Sequence, residues 1–325
     1  MTNRLFYAYA RHALVTALRM AQVTTGSTVL IPHFICRDVL ASIAAVGAKP
    51  VFYDIDDDLQ VSRNTMLPSA TAVLAVNYFG FPADLGRLRQ QLSDPTTIII
   101  EDNAHGWLSV DENGVPLGTR TALGITSFRK TLLCPDGAFL SWNDDPKIVS
   151  SEIHQPFGSR ANSLGLGFRA RYLTKRLELL TSLPVRSLSR VAIRAGRRAL
   201  RKPAVYEYPG DEFELPAQHV IHRFSLKLFH ETNQLQEISR RQRLFEQCQT
   251  IADGLNIEPV FNQLSSGVSP QGFPYFKGRS GDGEFLRQVN RRRIGEIMPW
   301  PSLPELSGLP TNSRLRSLQL VNFLQ

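Results

Sequence analysis

Two short segments of this 325-residue chain carry side chains suited to chemistry. Ile100-Glu101-Asp102-Asn103-Ala104-His105 places carboxylates and an imidazole at the end of an apolar run, and Thr126-Ser127-Phe128-Arg129-Lys130 brings a hydroxyl, a guanidinium and an amine. An acid at the carboxyl end of a buried strand stands where open α/β sheets bind ligands. A lysine desolvated beside such an acid is an amine poised for nucleophilic work. Asp102 and Lys130 are 28 positions apart, room for one hairpin and one strand, so both can serve one ligand. The plain alternatives are a solvated lysine and an aspartate that only caps a helix.

Other chemistries lack their residues. The sequence holds no GxGxxG, GxxxxGK[ST], GxSxG or HExxH, which removes the common dinucleotide, P-loop, serine-hydrolase and zincin readings. His219 and His222 have no third ligand nearby and read as a surface pair rather than a metal site. Asp54, Asp56, Asp57 and Asp58 lack the later glutamate of a calcium loop and read as a solvated turn. No metal is expected. Trp107 reads either as a neighbour of the ligand or as a core residue.

The elements that must position these side chains follow from periodicity. Ala13, Leu14, Ala17, Leu18 and Ala21 recur at helical spacing over Ala10–Gln22, and a second helix runs from Val39 to Val46, stopped by Gly47. Thr28–Ile31, Pro50–Ile55, Ala72–Val76 and Thr97–Ile100 are short apolar runs of the kind found when helices cover both sheet faces. Asp111–Gly114 reads as a hairpin turn with Asn-Gly supplying positive φ, and Ala138–Trp142 as a later strand. Residues 224–247 give one long helical pattern through Phe224, Leu228, Leu235, Ile238 and Phe245. The expected class is α/β, with a large domain over residues 1–223 and a small C-terminal α+β domain over 224–325.

Composition narrows the setting. Lys and Arg number 37 against 29 acids, a formal charge of +8, and between Arg186 and Lys202 seven cations stand with no acid. Arg186, Arg190, Arg194 and Arg197 share one face at helical spacing, within a basic helical insertion expected at about 160–205. A solvated face is the ordinary use of such a stripe; peripheral contact with an anionic membrane or a diphosphate is the functional one. Nucleic acid is not an expected partner, because no aromatics interleave with the arginines. Three scattered cysteines, Cys36, Cys134 and Cys248, fit a reducing, cytoplasmic setting. No signal peptide is expected, and no run of 18 apolar residues spans a bilayer.

In this order the segments resemble the DegT-type nucleotide-sugar aminotransferases, a branch of the fold type I pyridoxal-phosphate enzymes. Gly47-Ala48-Lys49-Pro50-Val51-Phe52-Tyr53-Asp54-Ile55-Asp56 is similar to the family's "GAKPVFxDID", and Asn77 to Leu85 to its "HLYGxPADM". Glu101 to His105 is similar to its "EDxA[QH]", and Ser127 to Gly137 to a shortened "SFxxxKxLxxGEGG".

The resemblance implies a fold type I transferase with a large mixed sheet, a pyridoxal 5'-phosphate cofactor and a homodimer. It implies amino-group transfer from an amino acid such as glutamate to a keto-sugar carried on a nucleotide, in polysaccharide or secondary-metabolite synthesis. Lys130 then forms the covalent link to the cofactor's aldehyde and moves the substrate proton. Asp102 keeps the pyridine nitrogen protonated, so that the ring works as an electron sink. His105 matches the residue that bonds the ring oxygen, and Ser127 the phosphate-binding serine, with Arg129 adding charge. Ala10 and Arg11 fall where the family offers backbone amides to the phosphate. Cys36 stands where it has a ring-stacking aromatic, and Ile221 where it has an asparagine crossing the dimer. The alternatives are a member that keeps the fold for binding or scaffolding, and a membrane-surface protein acting through its arginine helix.

Overall fold

The structure, a computed structural model, describes residues 2–324 except 64, 154, 159–163, 182–213, 279 and 301–313. The arginine-bearing segment 186–202 lies outside the described residues.

The first half of the chain builds one seven-stranded sheet. Its strands are β1 (Asn3–Tyr7), β2 (Thr28–Pro32), β3 (Lys49–Tyr53), β4 (Ala72–Val76), β5 (Ile98–Asn103), β6 (Leu123–Thr126) and β7 (Ala138–Trp142). They lie in the order β1-β7-β6-β5-β4-β2-β3. The pairs from β3 through β6 are parallel, and β7 runs against both β6 and β1. β4, Ala-Val-Leu-Ala-Val, is buried at all five positions, as its unbroken apolar run requires with both sheet faces covered. Order reverses beside it: the chain leaves β2 for β3 on one side and returns with β4 and β5 on the other. Such a switch opens a crevice at the carboxyl ends of the strands, where Asp102 is the penultimate residue of β5 and Ser127 follows β6.

Helix α1 (Ala10–Met20) buries Ala13, Leu14, Ala17 and Leu18 against this sheet, as its spacing predicts. α2 (Asp38–Ala45) follows, and α3 (Leu85–Gln91) is capped by the Asp84 carboxylate accepting from the Arg87 amide at 2.8 Å. Glu101 and Asp102 point to opposite faces of β5. Glu101, fully buried, accepts from Arg120 Nε at 2.7 Å and from Asn77 Nδ2 at 2.8 Å, so this acid is structural.

After α4 (Leu166–Thr181), the pattern expected as one helix over 224–247 is two, α5 (Arg223–Glu231) and α6 (Gln234–Gly254). Thr232 and Asn233 take non-helical angles, and the Asn233 side chain caps α6 by accepting from the Gln236 amide at 3.1 Å. The apolar period runs across the break because both helices bury a face, so periodicity alone does not reveal the join. α5 inserts Phe229 among Phe128, Phe139 and Trp107, on the flank of the large sheet. Trp107 is therefore a core residue of that cluster.

The C-terminal sheet, ordered β10-β11-β9-β8, comprises β8 (Glu258–Pro259), β9 (Gly272–Phe276), β10 (Glu296–Pro299) and β11 (Leu318–Asn322), with α7 (Asp282–Arg291) beside it. Phe245 of α6 meets Phe273 of β9 at 5.0 Å and Phe81 at 5.8 Å, so one apolar core runs through both sheets. Gly80 makes the junction: with φ +93° and the Ser269 carbonyl 2.9 Å from where a Cβ would sit, no other side chain fits.

Two local expectations are corrected. His219 and His222 are not a surface pair: His222 is buried and caps α5 by accepting from the Phe224 amide, and the His219 ring lies 3.9 Å from that of His12. In the turn at Asp111–Gly114 only Gly114 has positive φ, because Asp111 Oδ1 accepts from the Asn113 and Val115 amides and shapes the bend instead. Among Asp54 to Asp58, Asp56 and Asp58 pair with Arg87, and Asp57 with Arg314. Among the described residues no cluster of His, Cys, Asp and Glu has the makings of a metal site. Cys36, Cys134 and Cys248 form no disulfide, and Cys134 and Cys248 are buried.

Candidate active site

The strand ends converge on a cleft of ≈ 630 Å³, its open mouth included. Ala10, Arg11, Cys36, Asp102, His105, Ser127, Arg129 and Lys130 all border it. Each arrives for a local reason. Asp102 is the penultimate residue of β5, and its Oδ1 accepts from the Ala104 amide at 2.9 Å and turns the chain toward His105. β6 ends at Thr126, and one turn of 3-10 helix over Phe128–Lys130, closed by the Lys130 amide on the Ser127 carbonyl at 3.2 Å, brings hydroxyl and amine to the same side. That turn accounts for the short spacing between Ser127 and Lys130. Gly137, at φ +137°, lets the Phe128 ring pass 2.4 Å from where a Cβ would stand and so seats the loop.

Lys130 Nζ lies 3.0 Å from His105 Nε2. Burial pushes the lysine amine down from its usual range, with Arg129 adding to the fall and Cys36 and Asp102 opposing it. Burial also drives His105 well below the ordinary imidazole value, helped by the Lys130 charge, so His105 is neutral. Asp102 is raised by its burial against the pull of Lys130 and of the Ala104 amide. The site thus holds an amine whose charge burial disfavours, a neutral imidazole and an acid inclined to keep its proton.

The other end of the cleft suits an anion. Ser127 Oγ is buried and has no hydrogen-bond partner among the described residues. Arg129, its guanidinium 5.4 Å from the Tyr9 ring centroid, also leaves a buried Nε unpartnered. α1 begins at the cleft with no side-chain cap on its first turn, so its amides and dipole are open to negative charge. Arg11, in that turn, pairs with Asp38 at 3.4 Å.

Behind the lysine, Arg241 of α6 is fully buried and donates to the Thr131 carbonyl at 2.9 Å and the Pro270 carbonyl at 2.9 Å, tying the lysine loop to the C-terminal sheet. Burial lowers this guanidinium to about 10 against the support of Glu237.

Tyr9, Tyr78 and Trp300 also border the cleft, and sequence reasoning gave none of them a role. Tyr78 lies inside a quoted motif and donates its hydroxyl to the Phe34 carbonyl at 2.5 Å. Trp300 packs edge-on against His105 at 4.8 Å from a position 195 residues downstream, and no local pattern announces it. Ile221, by contrast, is buried with Phe229 and Phe128 and presents no polar group.

Pyridoxal phosphate fits this set. An unpartnered serine hydroxyl, an uncapped helix start and an arginine suit its phosphate; a buried acid suits its ring nitrogen; a desolvated amine suits its aldehyde. Fold and cleft together define a fold type I pyridoxal-phosphate protein.

Comparison with known proteins gives the family. Residues 7–180 match the model of the DegT/DnrJ/EryC1/StrS aminotransferase family, and the chain belongs to it. It is 29% identical over 121 residues to UDP-N-acetyl-3-dehydro-alpha-D-glucosamine 3-aminotransferase of Acidithiobacillus ferrooxidans, covering 36% of this chain and 32% of that one. It is 30% identical over 140 residues to GDP-perosamine synthase of Vibrio cholerae, covering 41% of this chain and 38% of the relative. The two alignments span only 32% and 38% of the relatives' own lengths. The aminotransferase TlmJ of Streptoalloteichus hindustanus has the same fold, with a TM-score of 0.62 at 19% identity over 99% of this chain and 80% of that one.

Proposed function

We propose that the protein transfers an amino group from an amino acid, glutamate first among them, to a keto-sugar carried on a nucleotide, in polysaccharide or secondary-metabolite synthesis. The observation that carries this reading is the Lys130 amine at 3.0 Å from His105 Nε2 in the cleft that also holds the buried Asp102 carboxyl. Pyridoxal phosphate, when bound, supplies an aldehyde carbon and a ring that withdraws electrons while its nitrogen is protonated.

This chain's residues do the rest. Ser127 Oγ, Arg129 and the first amides of α1 hold the phosphate. Asp102, raised by burial, holds a proton against the ring nitrogen. Lys130, whose burial disfavours the charged amine, takes a proton from the substrate carbon at Nζ and returns it to its neighbour. Neutral His105 fixes the direction of that amine through Nε2. Arg11 and Arg129 give the cleft the positive charge that an anionic substrate needs. The protein works as a cytoplasmic homodimer, with a large unit over 1–223 and a small one over 224–325.

Incubation of the cofactor-loaded protein with glutamate alone tests the reading. One equivalent of 2-oxoglutarate per site is expected, and a nucleotide-linked keto-sugar added afterwards restores the starting absorbance as it is aminated. Bound cofactor with no 2-oxoglutarate from glutamate or any other amino acid would leave a binding protein in place of an enzyme.

A further inference from the structure

His105 lacks the partner that usually aims a working imidazole. Such a ring is turned by a carboxylate or a carbonyl on its second nitrogen, yet His105 Nδ1 is buried and has no hydrogen-bond partner among the described residues. Its Nε2 faces Lys130, and aromatic rings stand around the rest. Phe79 lies nearly parallel to the imidazole, at 6.0 Å and 16°. Trp300 meets both rings edge-on, His105 at 4.8 Å and 83°, Phe79 at 4.7 Å and 73°. The imidazole thus sits in an aromatic corner, where rings set its direction in place of a hydrogen bond.

Both rings are fixed from the C-terminal sheet. The Phe79 carbonyl accepts from the amide of Gln271, the residue before β9, at 2.8 Å, and Trp300 is the residue that follows β10. Trp300 Nε1 is buried without a partner among the described residues, so packing sets the indole's place. Phe79 is fully buried, whereas Trp300 borders the cleft beside His105. Trp300 is therefore the aromatic neighbour of His105 that the contents of the cleft also reach. An imidazolium needs water or an acceptor, and the corner supplies neither while the indole is in place. Lys130 is the charge that acts on His105; Cys36, Arg129, Asp102 and Asp38, from the other segments around the cleft, act on Lys130. We infer that Trp300 is a positioning residue, supplied by the C-terminal sheet, that closes water off from His105 and keeps its Nε2 aimed at the Lys130 amine. The inference rests on the proposed roles of Lys130 and His105, and it makes their proton exchange depend on the docked C-terminal sheet.

Proton NMR of the full-length protein tests this through the titration of the His105 ring, assigned by its loss in His105→Asn. In the wild type this resonance is expected to keep its neutral position from about pH 5 to about pH 9. In Trp300→Ala it is expected to titrate, approaching the ordinary imidazole value of about 6.5 from below because the Lys130 charge remains. Trp300→Gln, which keeps length and admits water, is expected to titrate likewise and decides the matter where the alanine variant fails to fold. Trp300→Phe keeps a ring against His105 and sheds an unpartnered N–H, so it is expected to behave as the wild type. A merely structural role would lower the melting temperature and leave the titration unmoved. The inference is overturned if His105 titrates in the wild type, stays silent in the folded alanine or glutamine variant, or titrates equally in the phenylalanine variant. None of these readings involves amino transfer: a protein that releases no 2-oxoglutarate would lose the proposed function and keep its His105 titration.

Discussion

The Lys130 amine stands 3.0 Å from His105 Nε2, two bases within hydrogen-bond distance in a cleft that burial has made hostile to charge. They share at most one proton at neutral pH, and with His105 held neutral that proton is the lysine's. Attachment of pyridoxal phosphate needs the unprotonated amine. Its rate is expected to rise with pH and to level off below the ordinary lysine value of about 10.4, as stopped-flow absorbance across pH 6–10 reads directly. A plateau only above that value would contradict a desolvated Lys130.

Asp102 gives a stability prediction of definite sign. Its folded pKa is raised, so the stability it contributes is fully present below the ordinary carboxylate value and is lost as pH rises through the folded one. Above the ordinary carboxylate value its burial therefore weakens the cofactor-free protein. Asp102→Asn keeps the oxygen that accepts from Ala104 and removes the charge. It is expected to raise the cofactor-free melting temperature at pH 7, with the gain shrinking toward pH 4, while abolishing turnover.

Ser127 separates binding from folding. Its buried hydroxyl has no partner among the described residues, so Ser127→Ala should leave the melting temperature of the cofactor-free protein unchanged or slightly raised. Loss of one phosphate donor should weaken cofactor affinity about tenfold. Fluorescence titration of the two proteins with pyridoxal phosphate checks both halves.

Arg120 and Glu101 show the opposite behaviour. Their ion pair is 2.7 Å long with Glu101 fully buried, and Asn77 completes the network. Arg120→Met strands the carboxylate and is expected to cost about 3–5 kcal/mol in urea unfolding, far more than it changes cofactor affinity in protein that remains folded.

Much of this site was legible because its residues sit at strand ends. Asp102 and Ser127 each close an apolar run, and a parallel sheet must bring such ends to one edge. Glu101 was not separable from Asp102 by motif; alternation along β5 sends one into the core network and the other into the cleft. Long-range relations were opaque. β1 is five residues whose place is fixed by pairing with β7, more than 130 positions later, and Trp300 reaches the cleft only through the C-terminal sheet. The break at Asn233 was hidden because a cap residue outside the apolar pattern decides it. Cys36 lines the cleft as expected, yet the aromatic rings that border it, Tyr9, Tyr78 and Trp300, lie in other segments.

The account rests on Lys130 as the group that takes up the cofactor, and an absorbance spectrum of wild type beside Lys130→Ala tests that most directly. After reconstitution and gel filtration, the wild type is expected to keep a visible band that borohydride bleaches, leaving the phosphopyridoxyl mass on the peptide containing Lys130. The variant is expected to lose both band and adduct. An undiminished, borohydride-sensitive band in Lys130→Ala, or an adduct on another lysine of the wild type, would contradict the account.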